Sequence, residues 1–185
     1  MYTIIIAHPP NTQSHCRYMF TQLQQKLGQA HIIDLYADTY NPLYDESDDV
    51  LTKKYKAYIK ESDKLIFIYP VWWNGPPAVM KGFFDRVMSQ KFAFKYVQVP
   101  FLGFGRPVGL LQGKKAVVIT TSGSPNWIHT LFQQRRAGLN ATFDVLHFCG
   151  IKAKLYHLGN ARPSHYQKNM VKMQTLVKKT LRYLK

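Results

Sequence analysis

The chain has 185 residues and a mass of 21.5 kDa, with 46% hydrophobic and 14% aromatic residues, enough to fill a core and to exclude intrinsic disorder. Its two cysteines, Cys16 and Cys149, have no partners at metal-ligand spacing, which excludes a disulfide scaffold and a zinc ribbon. The sequence contains no apolar run of the ~20 residues that span a bilayer and no secretory signal, so we expect a single cytoplasmic domain over residues 1–185.

Charge is distributed unevenly along the sequence. Residues 1–85 hold 8 Lys and Arg against 9 Asp and Glu, whereas residues 86–185 hold 17 Lys and Arg and one acid, Asp144. A field of this sign attracts anions such as nucleic acid, an anionic membrane surface or a phosphorylated cofactor. Because no nucleic-acid recognition motif is present and the lysines fall mostly on solvated helix faces, we expect no nucleic acid partner.

Apolar runs and helical stripes alternate along the chain. Five runs rich in apolar and β-branched residues predict strands, in chain order residues 3–7, 31–35, 64–69, 115–121 and 152–157. Apolar residues at helical spacing predict helices over residues 16–28, 49–62, 76–89 and 128–149, and a last helix with the stripe Met170, Met173, Val177, Leu181 and Leu184. The segment from Phe92 to Gly113 has no clear period.

This alternation predicts an α/β fold. Strands that are apolar on both faces are typical of a doubly wound parallel sheet with helices on both sides. Five strands in a chain of this length favour the flavodoxin-like order 2-1-3-4-5. Ligands of such sheets bind beyond the carboxyl ends of the strands, so the loops after the first, third and fourth strands are the candidate functional segments.

The first of these loops enters the N-terminus of a predicted helix, where free backbone N–H groups and the helix dipole favour an anion. Hydroxyls of Thr12 and Ser14 and imidazoles of His8 and His15 add possible donors to a phosphate. The alternative is that Ser14 only caps the helix and that the two histidines are incidental.

The second loop runs from Pro70 and Val71 through the adjacent tryptophans Trp72 and Trp73 to Asn74. Two indoles where a strand meets solvent favour a planar aromatic ligand. The alternative is that they belong to the core, which suits one of them but not both, because neighbours on an extended chain point in opposite directions.

The third loop contains Thr120, Thr121, Ser122 and Gly123. Its hydroxyls and backbone N–H groups could bind a polar ring edge or a developing anion. The alternative is an ordinary strand-to-helix turn.

Together these segments resemble the flavodoxin-like NAD(P)H:quinone oxidoreductases, the family of the bacterial modulator-of-drug-activity proteins and of the ancillary oxidoreductases of potassium-efflux systems. The similarity extends over roughly the whole chain, and its most specific part is the block from Tyr69 to Val87. The other matching segments are His8-Pro9, Ser14-His15, Phe92–Tyr96, Leu111–Ala116 and the Thr120-Thr121-x-Gly123 pattern.

The resemblance implies a bound flavin, FMN with FAD as the alternative, and two-electron transfer from NAD(P)H through flavin N5 to a quinone-like acceptor. The implied contacts are His8, Ser14 and His15 to the phosphate; Val71, Trp72, Trp73 and Asn74 to the ring; and Thr120, Thr121 and Gly123 to its polar edge. Two positions depart from the family. Ser122 replaces a glycine, and Ile128 stands where larger relatives have a tyrosine, which leaves Trp127 and His129 as the nearby catalytic candidates.

The resemblance also implies a homodimer, with the segment Phe92–Gly113 helping to cover the site. Phe101 and Phe104 are candidates for its apolar wall, and the alternative is that they only pack the loop. Two alternative functions remain open. One is a non-enzymatic electron-carrier flavodoxin, although carriers tend to be acidic and this chain is basic. The other is a regulatory flavoprotein subunit that docks on a membrane potassium-efflux transporter.

Overall fold

The computed structural model describes residues 1–10, 14–45, 47–100, 104–131, 138 and 140–185, with the backbone alone at residues 129–131 and 143. Seven strands are present in this part of the chain: β1 (Tyr2–Ile6), β2 (His31–Asp34), β3 (Lys64–Pro70), β4 (Phe94–Gln98), β5 (Gly105–Gly109), β6 (Lys115–Thr121) and β7 (Lys152–Leu158). The helices are α1 (His15–Leu27), α2 (Val50–Glu61), α3 (Ala78–Val87), α4 (Asn126–Leu131) and α5 (Met170–Leu184), with a π-helical segment at Asn140–His147. Short 3₁₀ turns at Pro163–His165 and Gln167–Asn169 precede α5.

Five strands form one parallel sheet in the order β2-β1-β3-β6-β7. This is the predicted flavodoxin-like order 2-1-3-4-5, because β4 and β5 pair with each other in a separate antiparallel hairpin. The predicted fold class is therefore confirmed. The central strands are apolar on both faces because helices cover both sides of the sheet.

The two faces of the sheet carry separate cores. On one face α1 and α5 pack on β1, β3 and β6 through residues such as Met19, Leu23, Met173 and Val177. On the other face α2, α3 and the π-helical segment pack on the alternate residues of the same strands. Among the described residues, no helix is long and apolar enough to cross a membrane.

The predicted helix over Ile128–Cys149 is wrong in its second half. The described part begins as α4 but is π-helical from Asn140 to His147. The Thr142 hydroxyl donates to the Gly138 carbonyl at 2.6 Å in this region, a bond to the residue four positions back that α5 also contains, between Thr175 and Val171. The segment without a clear period, Phe92–Gly113, contains the β4-β5 hairpin.

Candidate functional site

A cleft lies at the carboxyl ends of β1, β3 and β6, where the order of a doubly wound sheet reverses and ligands bind. It consists of two adjoining cavities that share Val71, Ser122 and Gly123. The first, of about 210 Å³, is lined by His8, Ser14, His15, Cys16, Pro70, Val71, Trp72, Thr121, Ser122, Gly123, Ala161 and Pro163. The second, of about 460 Å³, is lined by Val71, Trp73, Asn74, Ser122, Gly123 and Ser124.

Ser14 caps α1 and also orients His8. Its hydroxyl accepts from the Arg17 N–H at 3.3 Å and lies 3.0 Å from His8 Nε2. His8 Nδ1 lies 2.7 Å from the Pro9 carbonyl, which can only accept, so Nδ1 carries the proton. In the neutral ring Nε2 therefore accepts the Ser14 proton. Ser14 thus caps the helix as the alternative interpretation proposed, and it also lines the cavity.

His15 is held in a single tautomer by a residue far away in the sequence. Asn169 Nδ2 donates to the Asn160 carbonyl at 3.0 Å, and its second hydrogen points to His15 Nε2 at 3.2 Å. His15 Nε2 is therefore an acceptor in the neutral ring. His15 also contacts the Tyr166 ring edge to face, at 5.3 Å between centroids. The segment before α5 thereby sets the position of the imidazole.

The helix end of the cleft favours an anion. The backbone N–H groups of His15 and Cys16 donate to no other described residue, and no carboxylate is among the residues that line either cavity. The Arg17 guanidinium pairs with Asp34 and donates to the His8 carbonyl, so it fixes the loop that carries His8. The donors that suit a phosphate group here are the two backbone N–H groups at the helix N-terminus, since the ring nitrogens of His8 and His15 already contact protein groups.

The paired tryptophans lie on a two-residue turn. Trp72 and Gly75 exchange backbone hydrogen bonds of 3.0 and 2.9 Å, while Trp73 and Asn74 between them have φ of +48° and +58°. Positive φ at both central positions is the geometry of a type I′ turn, and a tryptophan rarely adopts it. The turn leaves Trp73 fully exposed at 101% and Trp72 at 44%, so neither indole belongs to the core. Each lines one of the two cavities.

The third loop forms the wall opposite the tryptophans. Thr121 lines the first cavity, with its hydroxyl 3.3 Å from Cys16 Sγ, and its carbonyl accepts from the Val71 N–H at 2.7 Å. Thr120 points to the other side of β6, where its hydroxyl lies 2.8 Å from His157 Nδ1, and it lines neither cavity. The two threonines therefore face different surroundings, as alternation along a strand requires.

A fourth wall follows β7, and the sequence did not indicate it. Backbone hydrogen bonds of 2.8 Å join Asn160 to the Ser124 carbonyl and Ala161 to the Ser122 carbonyl. Arg162 Nε donates to the Gly123 carbonyl at 3.0 Å. These bonds place Ala161 and the following proline, Pro163, against the first cavity. The segment has no motif of its own, because it contributes mainly backbone groups.

Most of the predicted site residues come together in the cleft, namely His8, Ser14, His15, Pro70, Val71, Trp72, Trp73, Asn74, Thr121, Ser122 and Gly123. Trp127 and Phe104 are exposed and line neither cavity. His129 lies on α4, but its side chain is outside the described part of the structure, and so are Thr12 and Phe101.

The thiol in the first cavity is not a nucleophile. Burial raises the pKa of Cys16 to about 12, and burial likewise raises that of Cys149 to about 12, so both thiols stay protonated at neutral pH. Among the described residues no cluster of three or more His, Cys, Asp or Glu could hold a metal ion. The site's chemistry is therefore that of an anion-binding end joined to an aromatic cleft, which fits a phosphorylated planar ring.

Burial lowers the pKa values of both cleft histidines below their ordinary value of 6.5. For His8 the Pro9 hydrogen bond opposes this effect and the Arg17 charge adds to it; for His15 nearby His165 and His8 add to it. Below about pH 6.5 the unfolded chain therefore binds protons that the folded protein does not. We expect these two histidines to lower the stability of the ligand-free protein as the pH falls below about 6.5, and to contribute no pH dependence above it.

The measurement is the urea midpoint of the protein between about pH 5.5 and 8, beside a control in which His8 and His15 are both replaced by glutamine. The control retains every other histidine, so the difference between the two curves isolates this pair. If the urea midpoint changes with pH equally in the unchanged protein and in the control, the expectation is contradicted.

A doubly wound sheet with a cleft of this chemistry at the β1–β3 crevice defines a flavodoxin-like protein. The chain belongs to the flavodoxin-like fold family, whose profile matches residues 2–178. This membership and the names of the relatives below confirm the resemblance predicted from the sequence.

Three similar proteins illustrate the relationship. A Haemophilus influenzae protein named uncharacterized NAD(P)H oxidoreductase is 31% identical over 137 residues, which cover 66% of this chain and 64% of that protein. The FMN-dependent NADH:quinone oxidoreductase of Caldicellulosiruptor bescii is 32% identical over 114 residues, covering 62% of this chain and 52% of that protein. The match thus spans less than two thirds of either relative. The crystal structure of Smu.1420 from Streptococcus mutans is 29% identical, with a TM-score of 0.79, and the match covers 97% of this chain and 100% of that one.

Proposed function

We propose that this protein is a flavin-dependent NAD(P)H dehydrogenase that reduces quinone-like acceptors by two electrons, with FMN as its cofactor. The observation that carries the proposal is the continuity of the cleft. A carboxylate-free helix N-terminus adjoins an aromatic turn through the shared residues Val71, Ser122 and Gly123. The C. bescii relative named as an FMN-dependent NADH:quinone oxidoreductase supports the same choice of cofactor and acceptor.

The protein's part in this reaction is binding, orientation and electrostatics. The N-terminus of α1 would hold the phosphate through the backbone N–H groups of His15 and Cys16, with Ser14, His8 and the His15 ring lining the same cavity. The turn at Trp72 and Trp73 would cover the ring. When bound, the flavin supplies the chemistry of accepting a hydride at N5 and passing two electrons on. Within the third loop the Ser122 N–H donates to the Leu158 carbonyl at 3.0 Å, so the Gly123 N–H is the donor that would stabilise negative charge at the polar ring edge.

Cofactor binding is the first test. We expect the purified protein to carry FMN or to bind it tightly when it is added, seen as a yellow colour and as quenching of FMN fluorescence during titration. Riboflavin is the matched control, because it lacks the phosphate and should bind more weakly if the helix end of the cleft acts as inferred. A protein that binds neither compound would contradict the proposed function.

Steady-state kinetics then separate the proposed enzyme from its alternatives. NAD(P)H oxidation that depends on an added quinone supports the dehydrogenase, whereas bound FMN without quinone-dependent turnover favours an electron carrier. The regulatory role on a membrane transporter stays a prediction, and co-purification with such a transporter is its measurement.

We further propose that the protein is a homodimer. The β4-β5 hairpin exposes apolar side chains, with Tyr96 54% and Phe104 58% exposed, and apolar surface of this kind is commonly covered by a partner. Light scattering should give about twice the chain mass of 21.5 kDa. A mass equal to that of one chain would contradict the dimer.

A further inference from the structure

His157 lies behind the cleft rather than in it, and it joins two strands to the third loop. It stands directly opposite Thr120 in the parallel register of β6 and β7. Its Nδ1 is 2.8 Å from the Thr120 hydroxyl, and its Nε2 is 3.0 Å from the hydroxyl of Ser122, which lines both cavities. One imidazole therefore connects a buried strand residue with a residue of the binding wall.

The Ser122 hydroxyl carries a single proton and lies close to three acceptors. It is 3.2 Å from the Ser124 carbonyl, 3.2 Å from the Ser124 hydroxyl and 3.0 Å from His157 Nε2. When the proton goes to Ser124, His157 Nε2 donates to Ser122 and Nδ1 accepts from Thr120; in the other tautomer both directions are reversed. The Ser124 carbonyl is also the acceptor for the Asn160 N–H at 2.8 Å, which extends the network to the wall that follows β7.

We propose that His157 is a positioning residue for the cofactor, and that it acts through Ser122. Through its hydrogen bond with the Ser122 hydroxyl it keeps the segment Ser122–Ser124 in the form in which Ser122 and Gly123 line both cavities. The bond to Thr120 serves a different purpose, since Thr120 is fully buried and lines neither cavity, and it stabilises the pairing of β6 with β7. This inference rests on the proposed function as far as FMN is the ligand.

The hydrogen bonds of the two ring nitrogens can be removed separately by two substitutions of His157. The amide of His157→Asn reaches the position of Nδ1, so it retains the Thr120 contact and loses Ser122. The amide of His157→Gln reaches the position of Nε2 and retains the Ser122 contact. We expect His157→Asn to weaken FMN binding about tenfold, equivalent to about 1.4 kcal/mol, while keeping its melting temperature. His157→Gln should bind FMN like the unchanged protein and melt at a lower temperature.

A double-mutant cycle with Ser122→Ala tests whether the effect passes through the hydroxyl. If it does, His157→Asn weakens FMN binding in the unchanged background and has no further effect beside Ser122→Ala. Additive losses, or an unchanged affinity in His157→Asn, would overturn the proposal. His31→Asn is the control, because it removes an imidazole from the other edge strand, β2, where His31 stacks on Tyr58 at 4.0 Å and lines neither cavity.

Hydrogen exchange of the ligand-free protein gives a readout that does not depend on flavin. The Ser122 amide, which donates to the Leu158 carbonyl at 3.0 Å, should exchange faster in His157→Asn than in His157→Gln, since only the first variant releases the Ser122 side chain. Equal exchange in the two variants would overturn the proposal. If the unchanged protein binds no FMN, the proposed function fails, and the exchange data alone decide the role of His157.

Discussion

Replacing Trp73 by alanine is expected to weaken FMN binding roughly 5- to 150-fold without lowering the stability of the protein. Stacking of a flat ring on an aromatic side chain contributes about 1–3 kcal/mol, which corresponds to that range. Trp73 is fully exposed, so its removal leaves no void in the core. Alanine keeps the β-carbon at the positive φ of this position, so the backbone strain stays nearly the same.

The measurement pairs a fluorescence titration with FMN and a thermal melt. Trp127→Ala is the matched control, because that indole is also exposed, at 60%, and lines neither cavity. If Trp73→Ala and Trp127→Ala both bind FMN as tightly as the unchanged protein does, the indole of Trp73 does not cover the ring.

A second large effect is expected from Gly159→Ala, because Gly159 follows β7 where two walls of the cleft approach closely. A β-carbon there would lie 2.6 Å from the Asn126 backbone nitrogen and 2.7 Å from the Ser124 carbonyl oxygen, and neither backbone atom can move independently. The Gly159 N–H also donates to Asn126 Oδ1 at 2.6 Å. The added methyl group should therefore force the third loop away from the segment that follows β7.

Overpacking of this kind costs about 1–3 kcal/mol, which corresponds to a fall in melting temperature of about 2–12 °C in a chain of this size. FMN affinity should fall as well, by about tenfold or more, because Ser122 and Gly123 shift with the loop. Gly123→Ala is the control for stability, since the nearest atom to its β-carbon would be Arg162 Cγ at 3.9 Å. Equal melting temperatures for Gly159→Ala and Gly123→Ala would show that the added methyl group at position 159 does not destabilise the protein.

The fold was predictable because its signals are local. Runs such as Leu65–Ile68 are short, apolar at every position and rich in β-branched and aromatic residues, and a strand covered on both faces buries such a run completely. The location of the cleft followed from the same argument, since parallel strands carry their loops at one edge of the sheet. Ser14 as a cap and the exposed tryptophans were likewise indicated by residue type and by the turn residues around them.

Other features required the tertiary structure. Both Thr120 and Thr121 were predicted in the site, yet adjacent strand residues face opposite sides, and only the packing of β6 decides which one meets the cleft. The π-helical form of Asn140–His147 is likewise not indicated by the hydrophobic periodicity of the sequence.

The sequence by itself determined the order of the five strands of the parallel sheet, the cleft at their carboxyl ends and the three loops that form most of its walls. Tertiary structure alone decided how those residues are oriented: Asn169 reaches His15 across 154 positions, and His157 reaches Ser122 across 35. A hydrogen bond between distant residues leaves no period or spacing in the sequence, because each partner is an ordinary polar residue in its own segment. The hydrogen bond forms only when the chain folds and brings the two segments into contact, so only the folded structure shows how it orients the side chains.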